Sequence, residues 1–311
     1  MRIIDLHCDT VLKLWEDRKN GRLRSSRLGV DAGKLIRAGA LAQFFALFID
    51  LQQHADPLAA VQSMATLFAG EVAANADCLA VAGSAADMEA NRRQGKISCF
   101  LTLEEGGALA GRLENLQVVR ELGVRLITLT WNYPNEIGYP NHEWQYSRQG
   151  LTAFGRDVVE EMNRLGLVVD VSHLSDQGVF DVARICRRPF IASHSNARAI
   201  AVHSRNLTDE MIRIIAGSGG VVGLNLCPEF LGGDSGIGAM VSHVRHIINT
   251  GGSDCAALGT DFDGIEPPRE LADIGQIGRL ARALEQAGLT ETEREKFFWR
   301  NAARVISDSM D

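Results

Sequence analysis

The 311-residue sequence repeats one kind of unit eight times: a short apolar or β-branched run, a few polar residues, then a stretch with helical periodicity or capping signals. The runs are residues 2–6, 41–49, 97–103, 125–130, 167–171, 189–192, 220–225 and 256–260. Parallel strands must be joined by crossovers, usually helical, so eight alternations predict a closed α/β architecture, the (β/α)8 or TIM barrel. An open doubly wound sheet is the structural alternative. Helices are expected over 152–165, closed by Gly166, and over 208–216, with Asp209 and Glu210 in the first turn and Gly217 at the end. A capping box, Thr290 with Glu293, opens the last helix, which runs on through Phe297 and Trp299. No linker rich in Pro, Gly or Ser breaks the series, so one domain over 1–311 is expected.

With 46% hydrophobic residues the chain can bury a large core, which excludes disordered and fibrous classes. A net charge of −7 argues against a nucleic-acid partner, which needs a basic face. Residues 1–10 lack the pattern of a secretory signal, and the longest apolar runs, such as 38–49, fall short of the ~18 residues that cross a bilayer. A soluble cytoplasmic protein with no membrane partner is expected. Cys8, Cys78, Cys99, Cys186, Cys227 and Cys255 show no CxxC spacing and read as buried thiols, not a disulfide framework.

A barrel places chemistry at the C-terminal ends of its strands. The first run ends in Asp5-Leu6-His7-Cys8-Asp9, where His7 and Asp9, two apart, project to one side and can clamp a cation, while Cys8 points to the core. The third ends at Glu104 and Glu105 before Gly106 and Gly107. The fifth and sixth each deliver a histidine, His173 and His194, and the eighth ends in Thr260-Asp261-Phe262-Asp263-Gly264. Singly, these read as capping aspartates, buried histidines and turn chemistry. Five runs delivering His, Asp or Glu at the same end are better explained by one site for Zn²⁺ or a related divalent ion. The set exceeds what one tetrahedral ion with an open position needs, so two ions bridged by a carboxylate fit better.

These residues lie in segments that together resemble the membrane dipeptidase (renal dipeptidase) family, the M19 metallopeptidases among the amidohydrolase-like barrels. DLHCDT, KISCFLTLEEGG, RLITLTWN, GLTAFGRDVVEEMNRLG, VVDVSHLS, FIASHSNAR, SRNLTD, LGTDFDG and NAARV follow the family order nearly end to end. The resemblance implies a zinc-dependent dipeptidase with two Zn²⁺ per chain. In it, His7 and Asp9 hold one ion, His173 and His194 the other, and Glu104 bridges both, with Glu105 as the fallback. It implies a metal-bridging hydroxide that attacks the peptide carbonyl, Asp261 as the catalytic carboxylate that passes the proton to the leaving amine, and Arg205 as the receiver of the substrate's terminal carboxylate. A dipeptide, including one with a D-residue at its C-terminal position, is the implied substrate, and a homodimer is compatible with the family.

One departure stands out. Where the family pattern has a histidine that contacts the reacting carbonyl, this chain has Trp131, followed by Asn132. Asn132, or His142 from the following loop, could supply that donor. Cys227 stands where a pocket tyrosine is expected. Residues 131–146 hold all three tyrosines and two of the four tryptophans, either lining a substrate pocket or packing the loop onto the barrel. His54, His203, His243 and His246 read as surface residues, and the arginines of 22–27 as a solvated loop. Two other readings remain: a binuclear amidohydrolase acting on N-acyl amino acids, lactams or related amides, and a catalytically silent metal-binding barrel.

Overall fold

The structure, a computed structural model, describes residues 1–310. Seven strands of its eight-stranded parallel main sheet follow in ring order: β1 (Ile3–Asp5), β2 (Ala40–Phe48), β3 (Ile97–Glu104), β4 (Val124–Thr128), β5 (Val168–Asp170), then β6 (Val222–Leu224) and β7 (Ala256–Leu258), with β7 pairing back to β1, and the eighth, Leu79–Val81, pairs with β3 off that path. Between β5 and β6 the sixth predicted run pairs only through isolated parallel bridges, Asp170 with Ile191 and Ala192 with Val222. The run is short because the backbone of Ser193 is driven into the barrel. A Cβ on either Gly223 or Gly259 would meet the Ser193 carbonyl oxygen at 1.9 or 1.8 Å, so only glycine permits this closure.

Register lines up the strand ends that matter. Phe48 pairs with Glu104, Glu104 with Thr128, and Thr128 with Asp170 across three adjacent strand pairs. Alternation then sorts the side chains into two cores. Ile4, Ala42, Phe44, Phe100, Leu126, Val168 and Ala257 fill the barrel, with Phe44 stacked on Phe100 at 4.7 Å. The C-terminal helix Asn301–Met310 is packed into that same cluster through Ala302, Val305 and Ile306. Ile3, Phe45, Leu47, Leu101 and Leu103 face outward against the helices.

The predicted helices form with their caps. Ala153–Leu165 starts at Thr152, whose hydroxyl accepts from Gly155 N–H, and stops at Gly166 in the left-handed region, while Val158, Val159 and Met162 form its buried stripe. Asp209–Gly217 is capped by Thr208, and the Thr290/Glu293 box is present. The final predicted helix is interrupted by a π-helical turn, Lys296–Arg300, before it continues to Met310. The arginine-rich loop is a small hairpin, Gly21–Arg22 against Ser25–Ser26, with Arg22 bound to Glu71 and Arg24 to Asp77. All six cysteines are free, five of them buried and Cys186 half-buried. No helix among the described residues is long and apolar enough to cross a membrane.

Candidate metal centre

At the C-terminal mouth of the barrel, side chains from five of the predicted runs meet. His7 Nε2 lies 3.0 Å from Glu104 Oε2, 3.4 Å from Asp9 Oδ2 and 3.7 Å from Asp261 Oδ1. On the other side Glu104 Oε1 is 3.0 Å from His173 Nε2 and 3.7 Å from His194 Nε2, and the two imidazole nitrogens are 3.0 Å apart. Glu104 therefore presents one oxygen to each half. It points inward because Phe100, Thr102 and Glu104 share one face of β3. Glu105 turns away: its carboxylate accepts from the N–H groups of Gly107 and Trp131 and from Asn135, fastening the loop after β4.

Every one of these groups is buried, yet His7 Nδ1, His7 Nε2 and Asp9 Oδ1 have no hydrogen-bond partner. Buried donors and acceptors left this way cost several kcal/mol, roughly 1–3 each, unless another group satisfies them. Three overlapping sets, His7/Asp9/Glu104, Glu104/His173/His194 and His7/His194/Asp261, each bring their ligand atoms within 4.8 Å of one another. Imidazole and carboxylate donors in this arrangement fit divalent cations.

The electrostatics differ across the centre. Burial opposes the charge on His7, but Glu104 and Asp9 outweigh it and hold its pKa well above the usual value. Burial and Arg205 push His173 down to about 4, and burial and His7 lower His194. Burial acts against Glu104 ionisation, but His7 and His173 hold its pKa well below normal. Asp261 is pushed up to about 7 by burial, with Asp9 and Glu104 adding to it against His7.

The loop carrying Asp261 is unusual in its backbone. Asp261 and Asp263 both have positive φ, 63° and 72°, a region that aspartate tolerates better than most residues. Gly264 follows, where a Cβ would meet Asp9 Oδ2 at 2.2 Å and Asp261 Oδ1 at 2.7 Å. Asn225, at the end of the seventh run, donates to Asp261 Oδ2 at 2.8 Å.

A cavity of about 810 Å³ opens over the cluster, lined by Asp9, Glu104, His173, Arg205 and Asp261 together with Phe48, Trp131, Asn132, His142, Trp144, His203 and Cys227. Arg205 is buried, and its guanidinium donates to the carbonyls of Ser172 and His194 and lies 3.0 Å from His173 Nε2. Trp131 meets Phe48 edge-on at 4.8 Å and Tyr133 at 5.6 Å, so the aromatic loop both packs on the barrel and walls the cavity. Asn132 lines the cavity, and its Oδ1 accepts from His173 Nδ1 at 3.3 Å. Of the histidines read as surface residues, His243 is buried inside its helix contact, with Ala197 N–H donating to Nδ1 and Nε2 bonding the Leu231 carbonyl. His203 is half-buried and faces the cavity. Asn225 and the polar residues beneath His194 were not singled out in the sequence, although Asn225 ends its run at the same barrel mouth as the ligand-type residues; Glu105, the fallback for the bridging position, fastens a loop instead.

A parallel barrel whose strand ends converge imidazoles and carboxylates on one cavity is an amidohydrolase-like fold with groups that could bind metal. The sequence pattern of the membrane dipeptidase family, peptidase family M19, matches residues 1–310. The chain belongs to that family and is a hydrolase acting on dipeptides. It is 35% identical over 263 residues to a protein encoded in the pqqA 5′ region of Klebsiella pneumoniae, covering 81% of this chain and 97% of that one. It is also 34% identical over 220 residues to the dipeptidase C3A11.10c of Schizosaccharomyces pombe, covering 69% of this chain and 54% of that longer protein. Among solved structures, a metallopeptidase from Rhodobacter sphaeroides holding a phosphinate mimic of the dipeptide L-Ala-D-Ala superposes with a TM-score of 0.91 at 26% identity, over 99% of both chains. The M19 dipeptidase AC gives 0.92 at 27% identity over 100% of this chain and 99% of its own.

Proposed function

We propose that this single-domain barrel is a dipeptidase working with two zinc ions, one held by His7 and Asp9, the other by His173 and His194, with Glu104 shared between them. The observation that carries the reading is the placement of the two Glu104 oxygens, each 3.0 Å from a histidine on opposite sides. Bound divalent ions supply Lewis-acid polarisation of the scissile carbonyl and an attacking water of lowered pKa. The chain's own residues do the rest. Asp261 takes the proton of the attacking water and returns it to the departing amine, a task for which its carboxylate is placed, lining the cavity 3.7 Å from His7 Nε2. Arg205 pairs its fork with the substrate's terminal carboxylate, since its present hydrogen bonds go to carbonyls and an imidazole, not to an acid. Anchoring that carboxylate beside the metal cluster brings the last peptide bond of a short substrate to the centre.

The ligand in the Rhodobacter sphaeroides structure supports tolerance for a D-residue at the second position. Trp131 and Asn132 favour a second reading, a binuclear amidohydrolase of acylated amino acids. Neither side chain carries an imidazole to offer the reacting carbonyl. Elemental analysis paired with hydrolysis of L,L and L,D dipeptide panels, before and after chelation, decides between them. About two zinc ions per chain with chelator-sensitive dipeptide cleavage is the expected result. Two ions with turnover of acylated substrates alone moves the substrate to the second reading.

A further inference from the structure

Beneath the metal-facing side chains the barrel carries a polar layer that the proposed chemistry does not use. Asp170, fully buried at the end of β5, accepts five hydrogen bonds. Ser172 N–H at 3.0 Å, Ser172 hydroxyl at 2.6 Å and Ser193 N–H at 2.8 Å go to Oδ1, while the hydroxyls of Thr128 at 2.7 Å and Ser193 at 2.6 Å go to Oδ2. Three strand ends are thus tied to one carboxylate. With five donors aimed at it the Asp170 side chain is left only to accept, and Ser193, whose oxygen also lies 3.1 Å from Ser172 Oγ, gives its single proton to Oδ2. The same Ser193 oxygen lies 2.8 Å from His194 Nδ1 and can then only accept there. His194 must carry its proton on Nδ1, leaving the Nε2 lone pair facing Glu104 and His173.

We infer that Asp170 and Ser193 are positioning residues that fix the tautomer and orientation of His194 and so determine which nitrogen it offers to a metal ion. The inference rests on the metal reading above for its consequence but not for its geometry. The layer is buried under the centre and packed between β4, β5 and the 191–192 segment, so it holds the ring before any ion arrives, and hydrogen bonds of this kind typically tune metal affinity about 10- to 100-fold.

The test uses the full chain with Ser193→Ala, Ser193→Thr and Asp170→Asn. Long-range proton–nitrogen NMR on histidine-labelled, chelated protein reads the His194 tautomer directly. Zinc affinity is measured by competition with a chromogenic chelator, and thermal unfolding of the metal-free forms controls for folding. The wild type is expected to carry the Nδ1 proton. Ser193→Ala should release the tautomer and weaken one of two zinc ions about 10- to 100-fold, with a lower metal-free Tm from the buried partners left unsatisfied but a folded chain. Ser193→Thr, which keeps the hydroxyl, should restore both readouts. An Nε2–H tautomer in the wild type, or a Ser193→Ala variant with unchanged tautomer and zinc affinity, overturns the inference. Equal loss in the Ser193→Ala and Ser193→Thr variants does so too, because it shows packing and not the hydroxyl at work. A wild type that shows the Nδ1 proton but binds no zinc upholds the positioning pair and removes the metal reading instead.

Discussion

The two halves of the centre are built from opposite materials. On the β1 side a single imidazole, His7, is surrounded by Asp9, Glu104 and Asp261 within 3.7 Å. On the β5 side two imidazoles face one oxygen of Glu104, and the Arg205 guanidinium lies 3.0 Å from His173 Nε2. The same physics moves histidine pKa values in opposite directions, up where carboxylates dominate and down where burial and a cation do. The lesson concerns cation affinity. The carboxylate side attracts a divalent ion by charge, whereas the imidazole side must rely on ligand geometry while Arg205 repels. Metal should therefore leave in two stages under chelation, first from His173 and His194.

Glu104 joins the halves, and its removal should have the largest effect. Glu104→Gln keeps the shape but removes the one carboxylate facing His173 and His194 and one of the three around His7, so both ions should weaken and kcat should fall by about 10²–10³ or more. Metal content and single-turnover rates measure this. If one ion stays at full occupancy, Glu104 serves one half and the comparison drawn above is wrong. Asp261→Asn comes next: proton transfer is removed at a cost of about 10²–10⁴ in kcat, with both ions retained. Loss of an ion from this variant would move Asp261 from proton carrier to ligand, which its 3.7 Å distance to His7 allows. Arg205→Lys is milder. It keeps the charge but loses the fork, so KM for dipeptides should rise about 10-fold, the size of one charge-assisted hydrogen bond, with kcat less affected. Two-stage metal loss should persist in that variant and collapse towards one stage in Arg205→Met.

Much of this arrangement was legible in the sequence, and the reasons differ by residue. The barrel followed from repeated alternation, and the ligand-type residues stood out because five runs deliver them at the same end. Glu104 could be separated from Glu105 by period-2 parity with the barrel-filling Phe100. The sixth run was over-read because its pairing is cut short where Ser193 enters the barrel, a contact set by distant glycines. Asp170 and Ser193 were invisible as functional residues because polar residues after a strand look like turn formers, and only their mutual distances give them a role. His243 was misplaced although Met240, Val244 and Ile247 beside it mark the buried face of its helix. The orientation of Asn132 depends on how its loop is fastened by Glu105, a long-range contact with no local signal.

The smallest effect is in stability against pH, and it separates the two halves most directly. In chelated protein His7 has a folded pKa above its unfolded value. As pH rises past about 6.5 the unfolded chain gives up that proton first, so the folded state holds more protons and stability falls until the folded pKa is passed. His173, at about 4, behaves in the reverse sense. As pH falls below about 6.5 the unfolded chain takes up the proton first, and stability drops towards pH 4. Asp261 and Glu105, both pushed to about 7 by burial, titrate across the same range, so the informative quantity is the difference between variants. Tm measured from pH 4 to 9 should show His7→Asn flattening the alkaline limb and His173→Asn the acid limb, each by a few degrees, on a scale of about 2–4 °C per kcal/mol. Should both substitutions flatten the same limb, the two imidazoles share one environment, and the stepwise loss of metal expected from their difference has no electrostatic cause.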